Sequence, residues 1–300
     1  MKRKFIINPK SGKGITTSKL NIIKNKVLAQ IDNFDYVITK SKEDIIHQTQ
    51  KALEEGNEQI IAVGGDGTIH QVVNGFFNSN KLINPEASLM VTNGGTGSDF
   101  YKTVSSSRNW YDLLTNSQIK EVDLGIINFD DNHHEYFINM ASFGISATIV
   151  NKKEELPSWI PSGLSYIIPT LQSFTSLKNY NVKIITEEQE FSEEVLGIFV
   201  CKGMYAGGGM KFGSNSNIND GLFDITILKE MPRLDLVKNF SKIYNGIPKS
   251  NDQIIRVKTK SLSIQSQYKL PSEVDGESFN KNNIHIDCQN KALKVCYPRD

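Results

Sequence analysis

Short apolar runs alternate with longer helical patterns over the first part of the chain, and this order constrains the fold more than any other feature. Lys4–Ile7 is a buried-strand signal that stops at Asn8-Pro9. Thr17–Ala29 carries Leu20, Ile23 and Val27 at helical spacing. Asp35–Thr39 reads as a second strand. Ser41 is placed to cap a helix running to Gly56, with Ile45, Ile46, Thr49 and Leu53 on one face. Gln59–Val63 is a third strand, Thr68–Phe77 a helix and Ser88–Val91 a fourth strand; glycine clusters follow the third and fourth strands. This β-α-β-α succession predicts a parallel sheet with helices on both faces.

The pattern changes after Ile119. Glu121–Phe129, Glu135–Asn139, Asn181–Ile185, Glu190–Val200, Leu222–Leu228, Ile254–Lys258, Ser261–Gln265, Ile284–Asp287 and Leu293–Cys296 are strand-like, interrupted by helical segments near Gly163–Leu177 and Arg233–Ile243. Many short strands separated by turn residues predict a β-sandwich. The expected architecture is therefore two-domain α/β + β: a Rossmann-like parallel α/β domain over 1–120 and a β-sandwich substrate domain over 121–287. A chain of 300 residues is comfortable for two domains.

Composition narrows the function classes. With 38% hydrophobic and 22% charged residues, the chain reads as an ordinary globular protein. A net charge of +1 argues against nucleic acid as a partner. The three cysteines, Cys201, Cys288 and Cys296, have no zinc-type spacing and suggest no disulfide framework. The basic start, Met1–Lys4, precedes only Phe5-Ile6-Ile7 before Asn8-Pro9, too short for a signal-peptide core. No apolar run approaches the ~20 residues that cross a bilayer. A cytoplasmic location is expected, with contact at the inner membrane face at most.

Three loops follow strands of the parallel sheet, where ligands bind in such folds. Asn8-Pro9-Lys10-Ser11-Gly12-Lys13-Gly14 combines small residues with lysines; it reads equally as a polar turn. Gly64-Gly65-Asp66-Gly67-Thr68 leads into a helix and presents backbone N–H groups to one point, a phosphate-binding arrangement. Asp66 there makes sense if a divalent cation separates it from phosphate; the alternative is a helix cap. Asn93-Gly94-Gly95-Thr96-Gly97-Ser98-Asp99 repeats the design. Neither GxxxxGK[ST] nor a G-x-G-x-x-G after the first strand occurs.

Together, NPKSG, GGDGT and GTGSDF resemble the diacylglycerol kinase catalytic domain family, which includes bacterial lipid kinases and sphingosine kinases. Gly207-Gly208-Gly209-Met210-Lys211 with Asn219–Asp224, and Val274-Asp275-Gly276-Glu277, are similar to the family's GGGM…DDGLLD and DGE segments. The resemblance spans almost the whole chain. It implies the diacylglycerol-kinase/NAD-kinase type of fold, with residues from about 288 to 300 returning to the first domain. It implies ATP contacts at Asn8, Pro9, Lys10, Ser11, Gly12, Thr39, Gly64, Gly65, Asp66, Gly67, Thr68, Ile69, His70 and Thr96. It also implies Mg²⁺ beside Asp66, Glu277 or Asp275 as general base, and a structural Mg²⁺ on Asp220 with the carbonyls of Asn217 and Leu222. Asp220 also reads as an ordinary Asn-Asp-Gly turn, and Asp275-Gly276 as a hairpin turn. Two departures stand out: Ile69-His70-Gln71 replaces the family's Ile-Asn-Glu, and Gly95-Thr96-Gly97-Ser98-Asp99 replaces LGTxND. These point to altered ATP or Mg²⁺ binding, or to a shifted substrate.

The implied activity is phosphorylation of a lipid hydroxyl, diacylglycerol-like, by ATP. Leu156–Pro161, with Trp159, reads as a membrane-contact loop or substrate lid, or as a segment packed on the domain. The competing readings are a soluble kinase of the NAD-kinase type and a nucleotide-binding regulatory protein without turnover. Both a monomer and a homodimer fit. His133 and His134 read as solvated, and Cys201 as core.

Overall fold

The computed structural model describes residues 1–12, 17–31, 34–95, 97–105, 109–129, 134–157, 160, 167–173, 178–213, 215–232, 234–236, 241–246 and 252–299. The chain divides into two units, Met1–Val122 with Lys291–Asp300, and Asp123–Asn290.

The first unit contains β1 (Arg3–Ile7), α1 (Thr17–Leu28), β2 (Asp35–Ile38), α2 (Lys42–Glu54), β3 (Gln59–Val63), α3 (Asp66–Gly75), the small antiparallel pair β4 (Phe77–Asn78) and β5 (Lys81–Leu82), β6 (Ser88–Val91) and α4 (Asp99–Val104). β1 pairs in parallel with both β2 and β3, and β3 pairs in parallel with β6. All of β3 and β6 is buried, which explains their unbroken apolar runs. The chain steps from β1 outward to β2 and then returns to the other side of β1 as β3. That reversal is a topological switch point, with the loops after β1 and β3 on either side of it.

Local chemistry sets the helices. Ser41 is the N-cap of α2, and its hydroxyl accepts from the Asp44 N–H at 3.2 Å. Glu43 and Asp44 in the first turn and Lys51 in the last complement the helix dipole. Ile45, Thr49, Ala52 and Leu53 form the buried face.

β7 (Ser117–Phe129) leads into the second unit, which continues with β8 (His134–Phe137), β9 (Met140–Gly144), α5 (Ile145–Glu154), α6 (Ile167–Ser173), β10 (Tyr180–Thr186), β11 (Glu190–Cys201), β12 (Phe223–Lys229), β13 (Ile254–Thr259), β14 (Ser261–Val274) and β15 (Glu277–Pro298). The pairing is antiparallel in the order β13-β12-β11-β10-β14-β15. β9 pairs with the later parts of both β11 and β14, so these two long strands each have three neighbours. Val182, Ile184, Ile198, Val200, Ile225, Leu262 and Ile286 belong to one buried cluster inside this array. From Lys291 on, β15 belongs to the first unit, where it pairs in parallel with β6, Lys294 opposite Ser88 and Val295 opposite Leu89.

One difference from the sequence reading stands out. β9 and α5 form where no element was expected. The helix expected over Gly163–Leu177 is seen as α6, and its remainder lies outside the described residues. The helix expected over Arg233–Ile243 is seen as helical residues 234–236 and a 3-10 helix Ser241–Asn245, with 233 and 237–240 outside the described residues.

Ser41→Ala removes the cap without touching the core. Urea denaturation is expected to show a loss of about 1 kcal/mol with an unchanged m-value.

Candidate active site

In the first unit, three loops meet beyond the carboxyl ends of β1, β3 and β6. Asn8 ties the first to the second: its N–H donates to Val63 O at 3.0 Å, and its Nδ2 donates to Thr68 Oγ1 at 2.9 Å. Its Oδ1 accepts from the Lys10 N–H at 3.0 Å, which sets the turn. Thr39, after β2, donates its N–H and its hydroxyl to Ile7 O at 2.9 and 3.1 Å.

The second and third loops touch through their backbones. A Cβ on Gly65 would lie 2.9 Å from Gly95 Cα, and one on Gly95 would overlap Gly65 Cα. Glycine is required at both positions by this approach alone, because neither residue has a positive φ. Gly64 is buried, while Gly65, Asp66 and Gly67 are half-buried. Thr96 lies outside the described residues.

Asp66 opens α3, whose N-cap is Gly65 and has no side-chain cap bond. The Asp66 carboxylate serves another helix: its Oδ1 accepts from the Phe100 N–H of α4 at 3.0 Å. The free side of Gly97 faces a small cradle. A Cβ there would lie 3.1 Å from Asp66 Oδ2 and 3.0 Å from Asp99 Oδ2. The two carboxylate oxygens on this side of Gly97 are hard donors of the kind that a divalent cation takes. Asp99 also pairs with Lys102 at 3.1 Å. Ile69 and His70 are buried on α3.

In the second unit, Asp275 and Gly276 form the two-residue turn between β14 and β15, with φ values of 47° and 93°. Both values suit a type I′ hairpin turn. The Asp275 carboxylate is 7% exposed and accepts three backbone N–H groups: Ile138 at 3.0 Å, Asn139 at 3.1 Å and Met140 at 2.9 Å. Glu273 beside it accepts from Ser142 Oγ at 2.9 Å and the Gly276 N–H at 2.8 Å. Glu277, at the start of β15, is half-buried.

The predicted structural metal ligands do come together, but around a different cation. Asn217 O, Leu222 O and Asp220 Oδ1 lie 2.9, 2.8 and 3.4 Å from Lys202 Nζ. An oxygen–metal distance of ~2.0–2.6 Å to these groups requires the place that the ammonium holds, so they do not fit a bound Mg²⁺. Burial works against the Asp220 charge, yet the Leu222 N–H and the ammonium groups of Lys258 and Lys202 hold its carboxyl below the ordinary aspartate value. Sequence reasoning passed over Lys202. Its signal was a lysine directly after the apolar run that ends β11, ahead of the Asn219-Asp220-Gly221 turn.

Other sequence candidates have plainer settings. Burial pushes the Cys201 thiol well up and the Cys288 thiol to about 11, so neither is a thiolate at neutral pH. Trp159 and His133 lie outside the described residues. Among the described residues, no helix is long and apolar enough to cross a membrane.

Known proteins resemble this chain over most of its length. Residues 2–127 match the family model described as diacylglycerol kinase catalytic domain, and residues 139–297 match the YegS C-terminal NAD kinase beta sandwich-like domain. The chain is 27% identical to a diacylglycerol kinase of Bacillus subtilis over 92% of this chain and 90% of that one. It is 28% identical to a probable lipid kinase YegS of Escherichia coli, covering 88% of this chain and 86% of that one. A solved structure of a putative diacylglycerol kinase from Bacillus anthracis has the same fold, with a TM-score of 0.78 at 24% identity over 99% of this chain and 96% of that one.

Asp275→Asn sets an amide N–H₂ against at least one of three backbone donors. Chemical denaturation is expected to show a loss of about 1–3 kcal/mol; an unchanged midpoint would mean that the three bonds do not support the turn.

Proposed function

The chain belongs to the diacylglycerol kinase catalytic domain family with a YegS-type C-terminal domain, and from that premise we propose that it transfers the γ-phosphoryl group of ATP to the hydroxyl of a diacylglycerol-like lipid. A phosphotransferase with an alcohol acceptor is what this family membership means. The choice of a lipid acceptor is supported by relatives named as diacylglycerol and lipid kinases. The observation that carries the reading is the backbone contact of Gly65 with Gly95 at the carboxyl ends of β3 and β6.

The roles follow from what each group has left to offer. Asn8–Gly12, Thr39, Gly64–His70 and Thr96 form the ATP seat in this reading. The N–H groups that open α3 carry the positive end of the helix dipole and would face the phosphates. Asp66 and Asp99, whose carboxylates lie beside Gly97, would hold Mg²⁺. When bound, that ion supplies charge neutralisation on the phosphates.

Glu277 is the general base in this reading. Three backbone N–H groups already bond the Asp275 carboxylate, which fixes it in the turn. Glu277 is more exposed and sits two residues further on a rigid hairpin. It accepts the proton of the acceptor hydroxyl as that oxygen attacks phosphorus. Asp275 is then a positioning residue, and its hairpin holds Glu277 in place.

The test is transfer of label from [γ-³²P]ATP into vesicles that contain diacylglycerol, with thin-layer separation of the products. Wild type is expected to form a labelled phospholipid. Asp66→Ala and Glu277→Gln are expected to lower the rate by ~10²-fold or more, Glu277→Gln at an unchanged Tm and Asp66→Ala with a lowered one, because the Phe100 N–H loses its acceptor. Folded variants that keep wild-type transfer would sink the assignment of these residues. Label on a soluble alcohol in place of lipid would sink the assignment of the acceptor.

A further inference from the structure

Lys202 lies at the centre of a cage of oxygen atoms in the second unit. Its side chain is 0% exposed, as is that of Asp123, whose Oδ2 accepts from Nζ at 2.7 Å. Asn217 O and Leu222 O add two carbonyls, and Asp220 Oδ1 stands at the edge. Two carboxylates and two main-chain carbonyls are the donor set of a hard divalent cation. An ammonium has only three protons to give, and here all of them have acceptors.

The charges balance as the cage stands. Lys202 offsets Asp123, and Lys258, 3.2 Å from Asp220 Oδ2, offsets Asp220. The Gly221 N–H also donates to Asp123 Oδ2 at 2.7 Å, so the same carboxylate holds both the ammonium and the loop. The Asp123 N–H donates to Ile218 O at 2.8 Å, which closes the loop from the other side. The segment Asn217–Leu222 is therefore wrapped around one buried positive charge. Without that charge, Asp123 would be a fully buried anion facing carbonyl dipoles of the wrong sign.

We propose that the Lys202 ammonium is a covalently attached substitute for a structural divalent cation, and that shortening this side chain opens a divalent-cation site made of Asp123, Asp220 and the carbonyls of Asn217 and Leu222. The loop then closes without metal in the natural chain. Any Mg²⁺ requirement of the protein belongs to the nucleotide and its seat. This inference stands on the cage alone and holds whatever the acceptor is.

The test is Mn²⁺ binding to the full chain without nucleotide, followed by electron paramagnetic resonance, with thermal unfolding as a second readout. Sites elsewhere cancel when variants are compared in pairs. Wild type and Asp220→Asn are expected to bind the same number of Mn²⁺ ions. Lys202→Ala is expected to bind one more ion than Lys202→Ala/Asp220→Asn. Its Tm is expected to rise by about 5 °C between EDTA and saturating Mn²⁺, and the double variant's should not. A wild type that binds one more ion than Asp220→Asn would overturn the proposal. So would a folded Lys202→Ala that gains no ion. If Lys202→Ala fails to fold with or without cation, the comparison of wild type with Asp220→Asn decides on its own.

Discussion

The site in the first unit depends on one approach: the backbones of Gly65 and Gly95 lie too close for a side chain on either. Backbone contact at this distance brings the loops after β3 and β6 together and leaves their amides unscreened by side chains. It also sets the start of α3 beside the start of α4, so that Asp66 of one helix accepts the Phe100 N–H of the other. The first loop joins through Asn8, which reaches both Val63 and Thr68. A parallel sheet with its switch point at β1 and β3 is the frame that delivers these loops to one side.

The second unit uses its buried charges differently. Asp275 bonds to three backbone amides, Glu273 to a serine and a turn amide, and Lys202 to four oxygens. Each fixes a loop or turn in an otherwise apolar array of strands. Hydrogen bonds to charged groups are the stronger kind, and a buried charge that loses its partner is costly. Such groups therefore hold one loop geometry more tightly than apolar packing can. Glu277 is the carboxylate of this region left partly exposed, which is why it is preferred over Asp275 for chemistry.

The strands of the parallel sheet were legible because burial on both faces makes their runs apolar: Gln59–Val63 and Ser88–Val91 were read with the observed limits. Ser41 was legible as a cap because its chemistry is local. β9 was missed because Met140-Ala141-Ser142-Phe143-Gly144 is wholly buried and rich in small residues, with no alternation to read. β15 was seen only at Ile284–Asp287 and Leu293–Cys296, because Asn280, Lys281, Asn282 and Asn283 disfavour a strand locally. Pairing with β14 overrides that preference. At the sites, the glycine loops announced themselves by composition. The division of labour between Asp275 and Glu277 did not, because it depends on which backbone amides lie within reach. Lys202 was hidden for the same reason: a lysine and four oxygens far apart in sequence meet only in the fold.

The central claim is that the loops joined at Gly65 and Gly95 are the seat of the ATP phosphates. Hydrogen–deuterium exchange of the full chain, with and without Mg²⁺ and a non-hydrolysable ATP analogue, addresses it without turnover or an identified acceptor. The account predicts slower exchange on nucleotide binding in the segments covering 8–12, 64–70 and 93–97. Saturating nucleotide that leaves the amides of Gly64–Thr68 unchanged, or protection confined to 123–290, would contradict it.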